Sequence, residues 1–320
     1  MMNKRLKQGT TFLLALALAF PLLTLPGARA ANAIDTNRKC SVAFNVSGEG
    51  NELTTTAIQV NLYKVADVDV SGNYTATKDF TGLDVSSVSA DDKDTAASKW
   101  ADRAKEAQEM LTKSVKKTAT VTLKAGTGSL ADLATGLYLV DTPEVVTTNY
   151  TYTFTPYLVS LPTNNYYSNG NDNWIYDLTA TNAIGLKHEE HARYGDLIIN
   201  KRLKNHNATT GKKATFVFKI EITPLKGKTE TRIESLDFEA AGDSSVTITK
   251  IPAGATVTVK EEYSGASYKL ISENDQETTI VATDKDAKGD LASVSFTNDV
   301  DDNRSEERRV GKECRSRWTA

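Results

Sequence analysis

The chain has 320 residues, 39% of them hydrophobic and 25% charged, and a formal net charge of −3. That length suffices for two β domains of ordinary size. Without the first thirty residues, which carry Lys4, Arg5, Lys7 and Arg29 and no acid, the charge falls from −3 to −7; so acidic a chain is excluded as a nucleic-acid binder.

Lys4, Arg5 and Lys7 precede an apolar run from Phe12 to Phe20 that continues to Leu25, and Ala28-Arg29-Ala30 supplies a small-x-small cleavage site. Residues 1–30 are therefore expected to be a secretory signal peptide, cut after Ala30. The run is too short and too early for a lasting membrane anchor. Cys40 lacks the context of a lipoprotein anchor, and the chain's two cysteines, Cys40 and Cys314, lie near its opposite ends. An exported chain of this kind has at most one disulfide to staple it.

Residues 31–186 are expected to form a first β-sandwich domain. Apolar residues alternate at Val42, Phe44 and Val46, at Ile58, Val60 and Leu62, and at Tyr150, Tyr152 and Phe154. Further short strands are expected around Val121 and Leu123, over 136–140, 156–162 and 174–178, separated by Gly, Asn and Pro turns. One helix interrupts them. Ala97, Trp100, Ala104, Ala107 and Leu111 recur at three- and four-residue spacing among Asp, Lys, Arg and Glu, which predicts an amphipathic helix over about 91–113 with Trp100 in the core. No cross-link of its own is expected here. Lys39 has the wrong parity, Lys64 lies on a different strand, and Asp141 and Asn182 share inward rows without an inward lysine on the first strand.

Residues 187–193 are polar and unpatterned and are expected to be a linker. His188 and His191 are three apart rather than four, and no third ligand cluster accompanies them, so no metal site is expected. Asp299, Asp301 and Asp302 are read as an exit segment.

Residues 194–303 are expected to be a second sandwich. In Leu197–Leu203 the row Leu197, Ile199, Leu203 also contains Lys201. Phe216, Phe218, Ile220 and Ile222 make an inward row, followed by Leu236 with Phe238 and Val246 with Ile248. Val257, Val259 and Tyr263 share their row with Glu261, while Glu262 points outward; Val294 and Phe296 share theirs with Asn298. Residues 304–320 turn abruptly basic and aperiodic. They resemble translated vector sequence, and they are left out of the fold, with Cys314 then not native and the native C-terminus missing.

An amine, a carboxyl and a carboxamide thus each occupy a core position. Burying an amide alone without a partner costs roughly 2–7 kcal/mol, so the three are expected to meet. A buried salt bridge with an amide neighbour satisfies them. A chemical solution also exists: burial favours the neutral form of a lysine amine, making Lys201 a nucleophile against the Asn298 carboxamide. Glu261, carrying a proton, could polarise the carbonyl and shuttle protons. Enforced proximity can supply roughly 7–11 kcal/mol of such a barrier. The product is a Lys201–Asn298 amide with loss of ammonia. By analogy with a disulfide, closing that loop is worth roughly 4–5 kcal/mol.

These residues resemble a known family. Leu197-x-x-x-Lys201, the Phe216-x-Phe218-x-Ile220 strand, Ile251-Pro-Ala-Gly254 before Val257-x-Val-x-Glu-Glu-Tyr263, and Phe296-Thr-Asn298 are similar to the isopeptide-forming (Cna B-type) modules of Gram-positive pilins and surface adhesins. The resemblance spans about 194–300 and implies that Lys201, Glu261 and Asn298 are the reactive triad. Leu62-Tyr-Lys-Val-Ala-Asp67, Gly136-Leu-Tyr-Leu-Val140, Pro156-Tyr-Leu-Val-Ser-Leu-Pro162 and Trp174-x-Tyr-Asp-Leu178 resemble the N-terminal domain of shaft pilins. There the last string leads to Tyr-Pro-Lys, whose lysine accepts the sortase-activated end of another subunit. Here Ala183 stands at that position, and Lys187 is the nearby substitute. Leu161-Pro162-Thr163-Asn164-Asn165 lacks the glycine of a sorting signal and is read as a loop.

The fold expected is therefore all-β: two tandem Ig-like (Cna B-type) β-sandwich domains, the first with one inserted helix. The resemblance implies a structural subunit of a pilus or of the cell wall surface, with sortase and other pilin subunits as partners and wall attachment through a missing C-terminal sorting signal. The alternative is a monomeric surface adhesin binding a host glycan or matrix protein. No cofactor is implied. Nor does the sequence hold the constellation of a turnover enzyme: it has no Gly-x-Ser-x-Gly, no metal-ligand cluster and only three histidines.

Overall fold

The computed structural model describes residues 23–24, 33–46, 52–89, 93–164, 173–179, 183–207, 213–264, 267–284 and 289–301. The proposed cleavage site, Asn182, Asp302, the 304–320 segment and Cys314 lie outside them, as does the proposed signal peptide apart from Leu23–Thr24, which forms a short parallel pairing with Val88–Ser89. The chain divides into two compact units: unit 1 comprises residues up to 147 and 152–189, and unit 2 comprises 148–151 and 190 onward.

Two sheets form the frame of unit 1, beside shorter strand pairings. The first strand, β1 (Cys40–Asn45), alternates between fully buried Cys40, Val42 and Phe44 and half-buried neighbours, as a strand with one face on a core must. Strand β2 (Ile58–Val68) is longer and buried on both faces over its middle. Helix α1 (Lys93–Glu109) follows. After it come β3 (Ala119–Leu123), β4 (Thr127–Leu133), β5 (Gly136–Asp141) and β6 (Tyr157–Leu161). One sheet runs β6–β5–β2 and on to the short antiparallel strand Tyr74–Ala76, with β3 also antiparallel to β2; the other sets β1 between antiparallel β4 and two short parallel pieces, Asp177–Leu178 and Ile184–Gly185. The single strand expected over 174–178 is broken, because Trp174–Ile175 pairs instead with Thr163–Asn164. That pairing also makes part of the 161–165 segment a strand rather than a loop.

Helix α1 lies within the expected span. Its buried face is Ala96, Trp100, Ala104 and Ala107, packed with Val65, Leu137, Leu139 and Leu158. Ala96 replaces Ala97 on that face, so the steps run four, four and three, which a 3.6-residue helix accommodates. Cys40 is buried as a free thiol, and burial pushes its pKa up to about 11, the behaviour of an inert core cysteine.

Unit 2 holds two four-stranded sheets. Its strands are β7 (Tyr194–Leu203), β8 (Ala214–Thr223), β9 (Glu230–Phe238), β10 (Gly242–Pro252), β11 (Thr256–Tyr263), β12 (Tyr268–Leu270), β13 (Gln276–Thr279) and β14 (Ala292–Val300). One sheet is ordered β10–β7–β14–β12 and the other β9–β8–β11–β13. The first and last long strands, β7 and β14, run parallel side by side, with Leu197 opposite Ala292 and Leu203 opposite Asn298. Between the sheets lies one core that includes Leu197, Ile199, Phe216, Phe218, Ile220, Val257, Val259, Val294 and Phe296.

The segment 187–193, expected to be a linker, contains a strand, His188–Ala192. Tyr263 departs from its expected inward row and is half exposed. A bulge explains it: Phe218 faces Glu261 but the next β8 residue, Val217, faces Tyr263, so the alternation breaks after Glu261. Gly195 tolerates no side chain, because a Cβ there would drive into the Val281 carbonyl.

Candidate functional site: a buried Lys–Glu–Asn cluster

Lys201 projects from β7, Glu261 from β11 in the facing sheet, and Asn298 from β14 beside β7. They are 1%, 5% and 0% exposed. The structure brings all three together. The Lys201 ammonium donates to Glu261 Oε2 and to Asn298 Oδ1, and Asn298 Nδ2 donates to Glu261 Oε1 at 2.7 Å. Every pair in the cluster is joined, so the desolvation cost of each group is met inside it.

The surroundings are aromatic. Lys201 Nζ lies 4.3 Å from the centre of the Phe216 ring and 5.6 Å from that of Phe218, and Phe218 packs against Phe296 at 5.2 Å. Burial lowers the Lys201 pKa from its usual lysine value; the hydrogen bond and charge of Glu261 oppose the shift without cancelling it. The amine is therefore closer to its nucleophilic form than a surface lysine is.

The amide orientation differs from the sequence expectation in one respect. Glu261 contacts the nitrogen of Asn298 rather than its carbonyl oxygen, which faces Lys201. The carboxyl thus bridges the Lys201 nitrogen on one oxygen and the Asn298 amide nitrogen on the other. Sequence reasoning placed Phe216 in the core without seeing that its face covers the amine. It missed Asn274 altogether, whose Oδ1 accepts from the Glu261 backbone N–H at 2.7 Å. Asn274 stands in the polar run Ser272-Glu-Asn-Asp-Gln276, where periodicity carries no signal.

Lys187 is exposed and belongs to unit 1, where its carbonyl accepts from Thr155 N at 3.0 Å. Ala183 is half-buried. Among the described residues, no group of His, Cys, Asp and Glu is arranged to hold a metal ion, and no helix is long and apolar enough to cross a membrane.

A family profile described as "Domain of unknown function (DUF5979)" matches residues 197–301, a stretch that contains all three clustered residues. No curated protein matches the chain. Solved structures similar to it include the Bacillus anthracis TIE protein, at 13% identity and a TM-score of 0.32 over 82% of this chain and 34% of that one. The Corynebacterium diphtheriae major pilin SpaA is 12% identical with a TM-score of 0.27, covering 81% of this chain and 100% of its own. The major pilin SpaD of the same organism is also 12% identical with a TM-score of 0.27, over 86% and 100%. The chain thus spans about a third of the TIE chain and the whole of the two pilins.

Proposed function

We propose that the chain is a structural subunit of a bacterial cell surface, of the pilus kind, whose unit 2 locks itself with an amide bond between Lys201 and Asn298. The observation that carries this reading is the closed cluster of amine, carboxyl and carboxamide with the amine under an aromatic face. The sequence strings shared with pilins and the matching triad positions support the surface role.

The chemistry balances within the three side chains. Proton transfer along the Lys201–Glu261 hydrogen bond leaves a neutral amine and a protonated carboxyl. The amine nitrogen attacks Asn298 Cγ, forming the C–N bond. The protonated Glu261 passes its proton to Nδ2 and accepts one from the attacking nitrogen, so the carbonyl re-forms, the Cγ–Nδ2 bond breaks and ammonia leaves. Of the two protons that the ammonium nitrogen gives up, one departs in the ammonia and one stays on Glu261, which ends protonated. The event occurs once per chain, so the chain is a substrate of its own fold rather than a turnover enzyme.

Intact mass of the purified full chain, beside its Glu261→Ala variant, tests this. The expected result is a wild type lighter by one ammonia than its sequence requires, a variant without the deficit, and a branched peptide joining Lys201 to Asn298 after digestion. A wild type of unshifted mass would reduce the cluster to a buried salt bridge.

A further inference from the structure

The chain crosses from one sheet of unit 2 to the other through residues 271–275, and this crossover touches both reactive strands. It leaves β12 at Leu270, the residue paired with Asn298, and enters β13 at Gln276, paired with Val259, two positions before Glu261. Its polar side chains turn alternately to the two sheets. Ser272 Oγ accepts from Thr297 N at 3.1 Å on the Asn298 strand. Asn274 Oδ1 accepts from the N–H of Glu261 itself, where β13 no longer pairs with β11. Gln276 sits in the β11 sheet by its backbone, while its side chain accepts from Ser295 N at 2.9 Å and donates to Ser295 O at 2.5 Å on β14. Ile271 N adds a bond to Thr297 O at 2.9 Å.

We propose that this crossover is a strap that sets the spacing between Glu261 and Asn298 for cross-linking, with Asn274 and Gln276 as positioning residues. The inference rests on the cross-linking reading above. Neither residue contacts a reacting atom. Asn274 holds the backbone from which the carboxyl springs, and Gln276 replaces a missing strand neighbour along the edge of β14, pairing as a peptide group would. Proton relay and attack need atoms within hydrogen-bond reach, and a displacement near 1 Å can cost about 100-fold in rate. Asn274 is exposed, so exchanging it empties no core.

The test follows ammonia loss by intact mass at intervals after cell-free synthesis of the full chain. The variants are Asn274→Leu, Asn274→Asp and Gln276→Leu, with Thr215→Val as a control that removes an interstrand side-chain bond (Thr215 Oγ1 to Asp237 Oδ1, 2.6 Å) away from the cluster. Asn274→Leu and Gln276→Leu are expected to slow the reaction about 10- to 100-fold. Asn274→Asp, which keeps the acceptor oxygen, is expected to restore most of the rate, and Thr215→Val to react like the wild type. Wild-type rates in both leucine variants overturn the strap while leaving the cross-link standing. Equal slowing in Thr215→Val, or no restoration by Asn274→Asp, overturns it as well, since loss of general stability or of bulk would then suffice. A wild type that never loses ammonia overturns the cross-link itself, and the strap with it.

Discussion

In unit 1, polar side chains that share rows with core residues are settled separately. Asn61, 2% exposed, accepts from Thr120 Oγ1 at 3.2 Å. Asp141 accepts from Gln108 Nε2 at 2.7 Å. Lys64 runs over Gly136, whose φ of +151° a side chain would strain, and ends on Asp67 at 2.5 Å near the solvent. In unit 2 the amine, the carboxyl and the carboxamide converge on one point between the sheets, and no part of the Lys201 or Glu261 side chain reaches water. An inward polar residue is therefore not by itself a reactive one. What sets unit 2 apart is that strands of both sheets bring complementary groups to the same depth, where water cannot offer an alternative partner.

The largest break in this contrast is expected from Lys201→Ala. It would remove the proposed cross-link, worth roughly 4–5 kcal/mol by loop closure, and strand Glu261 in the core, a further cost of about 3–5 kcal/mol. Unit 2 should unfold far below the wild type in a thermal melt read by circular dichroism. Lys64→Ala in unit 1 should cost no more than about 1 kcal/mol, as for other pairs near solvent; a comparable loss there would erase the distinction.

Glu261→Gln separates shape from chemistry. The amide keeps the volume and a hydrogen-bonding oxygen but cannot carry the proton between nitrogens. The chain is expected to fold with its mass undiminished, and to lose the roughly 4–5 kcal/mol of the closed loop. Full ammonia loss in this variant would remove Glu261 from the reaction.

A third measurement uses pH. In Asn298→Ala the amine stays free, and burial should still hold the Lys201 pKa below its unfolded value of 10.5. Between the two values the unfolded chain binds more protons than the folded one, so stability rises with pH through that window and falls as the pH drops through the folded value. Denaturant melts of Asn298→Ala from neutral to alkaline pH should show that rise, and Asn298→Ala/Lys201→Met should lack it. An identical pH dependence in both would show that the lysine is not held as the structure places it.

The smallest effect on stability is expected from Lys187→Ala, within about 0.5 kcal/mol for an exposed side chain. Its value lies in assembly. Loss of a covalent, sortase-dependent ladder on the producing cell would make Lys187 the acceptor, whereas an unchanged ladder would place the acceptor elsewhere. A single wall-linked species in both would favour the monomeric adhesin.

Much of unit 2 was legible from alternation alone. Phe216, Phe218, Ile220 and Ile222 face the core as their parity requires, and the same parity turns Lys201, Glu261 and Asn298 inward. Side-chain direction along a strand is a local property, repeated every two residues whatever the strand pairs with. Where local order fails, the sequence misleads. The parity of Tyr263 promises burial, but the bulge opposite Val217 and Phe218 turns it out. Trp174–Leu178 reads as one strand, yet its two ends pair with different partners.

What the sequence by itself determined is which side chains enter the core of unit 2 and which three of them are polar, because a strand's period is set by its own backbone. Only the tertiary structure decided that Glu261 reaches across from the opposite sheet, that it lies against the amide nitrogen of Asn298, and that Asn274 and Gln276 tie the two sheets together beside it. Those facts depend on register and sheet spacing between segments as far apart as 97 positions in the chain, which no local pattern encodes.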